Sequence, residues 1–155
     1  MRYFSRLLLV VFLSALPVPL TAAPDLSGRW KLNPAESDFG PTPAPNAASY
    51  VISQDGSSLV IDWSWSGPSG DMTGRATYST NGEETTNTFG DLELTSVGHW
   101  EGEILHINSK GSLMGTDMEF VDTWTLETPN QLTVRRHMNS SMGEMEQVLV
   151  FERVE

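Results

Sequence analysis

FVDTWTLETPNQLTVRRHMNSSMGEMEQVLVF, Phe120 to Phe151, decides the fold. Apolar residues alternate along it, and two polar stretches, Glu127 to Gln131 and Asn139 to Glu144, divide it into three short runs. Antiparallel pairing across the first stretch sets Leu126 against Leu132, Trp124 against Val134, Asp122 against Arg136 and Phe120 against Met138. Pairing across the second brings Phe151 to Leu132, Leu149 to Val134, Gln147 to Arg136 and Met145 to Met138. Side chains alternate between the two faces of a strand, so a slip of one residue would move every one of these groups to the wrong face. Two independent loops produce a single apolar face, which is the signature of an antiparallel sheet.

The same arithmetic works upstream. With Asp55-Gly56 as a two-residue turn, Ile52 faces Leu59, Tyr50 faces Ile61 and Ala48 faces Trp63. With Glu101-Gly102 as the turn, Leu94, Trp100, Leu105 and Ile107 share one face, while Thr95, His99, His106 and Asn108 share the other. Turn signals recur roughly every eight to twelve residues, with β-branched and aromatic runs between them and no helical period. Gly28-Arg29-Trp30-Lys31-Leu32 supplies the first strand. Asn33 to Ala47 is a Pro-rich loop (Pro34, Pro41, Pro43, Pro45) with room for one helical turn near Ala35 to Asp38. The expected fold is all-β: an antiparallel up-and-down meander of eight to ten strands that closes into a barrel and so removes its edges.

Ahead of that domain stands an address. Arg2 and Arg6 precede an apolar stretch, Leu7 to Leu20, which ends in Thr21-Ala22-Ala23, the pattern of a cleaved signal peptide over residues 1–22. Pro17 and Pro19 interrupt a run already short of the roughly 20 apolar residues a bilayer span needs. A single domain, 23–155, follows, exported to the periplasm or secreted. The chain has no cysteine, so its core must hold the fold without disulfides. Its net charge is −11, and loss of the two leader arginines takes it to −13. Such a field repels nucleic acid and anionic membranes, and neither a basic patch nor a long amphipathic helix is present. No membrane insertion is expected after signal cleavage, and the domain is expected to be monomeric.

Asp25-Leu26-Ser27-Gly28-Arg29-Trp30-Lys31-Leu32-Asn33-Pro34, then Ser37-Asp38-Phe39-Gly40-Pro41, resembles the opening of small exported bacterial lipocalin-like proteins. Asp122 to Leu126 and Met142 to Arg153 are similar to the same group, so the likeness spans essentially the whole domain. The resemblance implies a calycin-type barrel whose closed end is plugged by Trp30, next to Gly28, with Arg153 stacked on the indole. The Thr-Asp-Tyr-type motif and the C-terminal helix of lipocalins are not recognisable here.

One polar constellation stands out. Asp122, Arg136 and Gln147 fall on the inward, apolar face, between a layer of Trp124, Val134 and Leu149 and one of Phe120, Met138 and Met145. Buried ions add little net stability over apolar residues of similar size, so the pair calls for another reason. An anchor fits: Arg136 held by Asp122, with donors free for a carbonyl or carboxylate inside an apolar cup that Trp63, Trp65, Phe120 and Met138 help to line. His99 and His106 share the outward face as a diagonal pair about 7–8 Å apart and lack a third ligand, so no metal site and no cofactor are expected. Nucleophile-elbow, zinc-protease, phosphate-loop and dinucleotide motifs are missing. The expected function is binding of a small hydrophobic or amphipathic ligand. The alternatives are a lumenal isomerase or hydrolase with Asp122 as base and Arg136 as electrostatic stabiliser, and an envelope structural or interaction module with a filled interior.

Overall fold

A computed structural model describes residues 22–155. The leader read over residues 1–22 therefore lies, apart from Ala22, outside the described residues. Ten strands follow in chain order: β1 (Gly28–Leu32), β2 (Ala47–Asp55), β3 (Ser58–Gly67), β4 (Gly70–Ser79), β5 (Asn81–Phe89), β6 (Leu92–Glu101), β7 (Ile104–Leu113), β8 (Thr116–Thr128), β9 (Gln131–Ser140) and β10 (Gly143–Val154). They form one antiparallel sheet in the order β4-β3-β2-β1-β10-β9-β8-β7-β6-β5. No helix occurs among the described residues. The expected meander is present, curled into a nearly closed barrel.

Closure comes from the first and last strands. β1 lies between β2 and β10, with Trp30 opposite both Tyr50 and Arg153. What stays open is a seam between β4 and β5, which no ladder joins. Only Thr80 separates these strands, too little for a hairpin, and Asn81-Gly82 forms an irregular start to β5 instead of the turn its sequence suggests. Gly98 of β6 makes the corner possible, because a Cβ there would strike the Ser79 carbonyl oxygen. The buried Asn87 side chain spans the seam like one rung of a ladder. Its Oδ1 accepts from Thr77 N–H at 2.7 Å and its Nδ2 donates to Thr77 C=O at 3.0 Å.

The β8–β9–β10 register matches the arithmetic residue for residue, from Phe120↔Met138 to Phe151↔Leu132. Its loops are tighter than expected, at Pro129–Asn130 and Ser141–Met142, with a bulge between Leu126 and Thr128. Two upstream registers differ by two residues. Ile52 pairs with Ile61, Tyr50 with Trp63 and Ala48 with Trp65, around a Gly56–Ser57 loop. Gly56 has φ +57° and Ser57 is not in the positive-φ region, so one glycine at the first loop position suffices, as in a type II′ turn. A turn centred on Asp55-Gly56 would have forced Asp55 into that region as well. The β6–β7 hairpin shifts the same way: its loop is Gly102–Glu103, and His99 stands directly opposite His106. A two-residue shift keeps every face, so the core assignments survive it. The two imidazoles are stacked, 5.2 Å apart, not diagonal.

The core fills the end of the barrel where β1 begins and β10 ends. Trp30, Ile52, Leu59, Leu105, Leu132, Leu149 and Phe151 are almost fully buried there, and Leu26 seals the outside. The opposite end carries the Pro-rich loop and the β3–β4, β5–β6, β7–β8 and β9–β10 turns. That loop holds no helical turn; it makes two hydrogen-bonded turns, from Glu36 N–H to Asn33 C=O and from Thr42 N–H to Phe39 C=O, and between them pairs Asp38 with Val148 of β10. Phe39 is thereby buried, and the loop becomes a strap across the open end.

Candidate ligand-binding site

Beneath the strap lies a cavity of about 500 Å³. The interior is not filled, unlike that of the structural or interaction module named as an alternative. Alternation along β3 points Ile61, Trp63 and Trp65 into it, and Tyr78, Phe89 and Trp124 extend the aromatic wall. Tyr50 is stacked between Trp124, at 5.7 Å, and Phe151, at 4.3 Å, and forms the boundary between cavity and core. Gly74 leaves the space that the Trp63 indole occupies, since a Cβ at 74 would overlap its ring.

Asp122 and Arg136 meet on this wall. Arg136 donates from Nε to Asp122 Oδ1 at 2.9 Å and from Nη2 to Oδ2 at 2.7 Å, a bidentate fork. Asp122 keeps 8% of its side-chain exposure and Arg136 30%, so the carboxylate is enclosed while the guanidinium opens on the lumen. The carboxylate raises the guanidinium's pKa above its ordinary value, so Arg136 is permanently charged. Its Cζ lies 5.6 Å from the centre of the Phe120 ring. Burial pushes the phenols of Tyr50 and Tyr78 upward, and both feel the ion pair's field. They stay protonated, hence hydrogen-bond donors, at any physiological pH.

Of the residues singled out in the sequence, Asp122, Arg136, Gln147, Trp63, Trp65 and Phe120 all line the cavity. Met138 does not; it is half-buried beside Phe120 and Met145 on the same face. Gln147 also fastens the strap, because its Nε2 donates to Phe39 C=O at 3.2 Å and to Thr42 Oγ1 at 2.9 Å. Only its carbonyl oxygen remains for a ligand. Tyr50, Tyr78 and the strap residues Thr42, Pro43 and Pro45 were missed. Tyr50 was already on the inward face by pairing, so its phenol was a usable signal. The strap gave none, because nothing local shows that Thr42 reaches a residue 105 positions away.

At the other end, Arg153 lies over the Trp30 indole, Cζ to ring centre 4.3 Å. Trp30 Nε1 donates to Leu26 C=O at 2.9 Å, and Arg153 donates to the carbonyls of Ser27 and Pro129. Gly28, at φ +139°, leaves room for the guanidinium to cross β1, which a Cβ would block.

Solved structures share this architecture. A point mutant of the REP1-NXSQ fatty acid transporter superposes with TM-score 0.61 at 18% identity over 83% of this chain and 98% of its own. This is a lipocalin-like barrel. The zebrafish ileal bile acid-binding protein complexed with cholic acid gives 0.57 at 15% identity, over 83% of this chain and 98% of its own. Secretory abundant heat soluble protein 4 of Ramazzottius varieornatus gives 0.59 at 14%, over 83% and 94%. No protein-family model and no curated protein matches the sequence. The lipocalin-like barrel is thus similar to these proteins in fold, and its lumen has to be read from its own side chains.

Proposed function

We propose that this protein is an exported carrier that holds a small, partly apolar molecule in the barrel, with a carbonyl or carboxylate end on Arg136. The carrying observation is the Arg136–Asp122 fork set into the wall of an otherwise largely apolar, aromatic-lined cavity of about 500 Å³. That volume is in the usual range for small-molecule sites, roughly 300–1,000 Å³. Two barrels of the same fold are named for such cargo, one a fatty acid transporter and one a bile acid-binding protein. The rim suits an apolar guest: Met72, Met114 and Met142 are 53%, 95% and 80% exposed at the open end, and thioether side chains adapt to irregular shapes.

Titration with the neutral dye N-phenyl-1-naphthylamine tests this reading. One dye per chain is expected, with quenching of tryptophan emission. Ala76→Phe, which fills the lumen from a buried position on β4, a strand that pairs with neither β8 nor β9, should remove that binding. A wild-type protein that takes up no dye, or a variant that takes it up equally well, would sink the proposal.

Export rests on the leader pattern of Arg2, Arg6, Leu7 to Leu20 and the Ala22-Ala23 junction, followed by the domain 23–155. Expression of the full chain in a bacterium is expected to release protein beginning at Ala23. A retained, full-length product by N-terminal sequencing would contradict it.

A further inference from the structure

The ion pair in the lumen does more than anchor. Arg136 has five N–H donors, and the fork to Asp122 uses two of them. Three remain to meet an acceptor, but the charge that would attract an anion is already neutralised. Among the described residues lining the cavity, Arg136 is the single cation and Asp122 the single anion. A carboxylate entering here would share one guanidinium with Asp122 and leave the lumen with a net negative charge, and like carboxylates at one site resist joint ionisation. The chain's own net charge of −11 adds to that penalty.

Hydrogen-bonding capacity points the same way. A guest that supplies acceptors can meet the three N–H groups that Arg136 has left. The phenols of Tyr50 and Tyr78, kept neutral by burial, add two O–H groups on the cavity wall. Asp122, the one carboxylate on that wall, already has both oxygens engaged by Arg136.

We infer that the barrel selects uncharged, hydrogen-bond-accepting guests, apolar bodies ending in a ketone, quinone, ester or amide carbonyl, over carboxylate anions, with Asp122 as the built-in counter-ion that sets this choice. The inference rests on the carrier reading above and narrows it to one ligand class.

A matched pair of fluorescent probes tests it: cis-parinaric acid and its methyl ester, which share one chain and differ at the end to be recognised by a methyl group in place of the negative charge. At pH 8 the ester is expected to bind at least tenfold more tightly than the acid. Lowering the pH through the fatty acid's own ionisation should strengthen acid binding and leave the ester unchanged, an arm that needs no variant. Asp122→Asn, which turns Arg136 into an uncompensated cation, should raise the affinity for the acid relative to that for the ester at least tenfold at pH 8. Equal or tighter binding of the acid by the wild-type protein at pH 8 would overturn the selection and leave the carrier reading standing. Uptake of neither probe would overturn both.

Discussion

Trp30→Ala is expected to destabilise the protein by about 3–5 kcal/mol, the scale seen when a large aromatic is truncated in a packed core. Trp30 is 1% exposed, and three kinds of contact depend on it. Its ring packs among Leu26, Ile52 and Phe151; its Nε1 ties down the Leu26 carbonyl; its outer face carries the Arg153 guanidinium. Without the indole, a void opens at the end of the barrel where β1 meets β10, the contact that joins the first strand to the last. Arg153→Ala removes the cation over the ring and the bonds to Ser27 and Pro129, and should cost less, about 0.5–2 kcal/mol. Urea melts of residues 23–155 would measure both. Wild-type midpoints in the two variants would mean that this end of the barrel is held by its backbone ladders alone.

Arg136→Met should cost about 3 kcal/mol, because it leaves the 8%-exposed Asp122 carboxylate without its counter-ion. The lower end of the range for broken buried pairs applies, since the guanidinium itself keeps 30% of its exposure. Asp122→Leu combined with Arg136→Met removes both charges from an apolar wall and should recover most of that loss, giving a large coupling energy in the double-mutant cycle. Ligand binding should not recover with stability: the double variant is expected to hold methyl parinarate at least tenfold more weakly than the wild type. A near-neutral Arg136→Met would show that Asp122 is solvated from the lumen. Unchanged ester affinity in the double variant would remove Arg136 from the binding site.

The ion pair was legible because it lies in the best-patterned part of the chain. From Phe120 to Phe151 two loops of definite length each demanded the same apolar face, and that constraint alone puts Asp122 opposite Arg136. The upstream hairpins were less constrained. Both Asp55-Gly56 and Gly56-Ser57 can close a two-residue loop that keeps Ile52, Tyr50 and Ala48 inward, so face was readable there and register was not. The stacked His99–His106 pair shows the consequence, since a shift of two residues turns a diagonal neighbour into a direct one.

By itself the sequence determined the antiparallel meander, which residues face inward, and the pairing that joins Asp122, Arg136 and Gln147. All of these follow from a period of two along a strand and from short loops, which are local properties. The tertiary structure alone decided the rest: that the barrel closes β1 on β10 and leaves its seam at β4 and β5, that Asn33 to Asn46 folds back as a strap fastened by Gln147, and that the inward side chains stop short of filling the lumen. Each of these depends on contacts between residues tens of positions apart, and on how the volumes of facing side chains add up across the barrel. No local pattern encodes such a sum. Alternation says which way Trp63, Tyr78 and Trp124 point, but only packing in three dimensions decides whether they meet or leave a cavity between them.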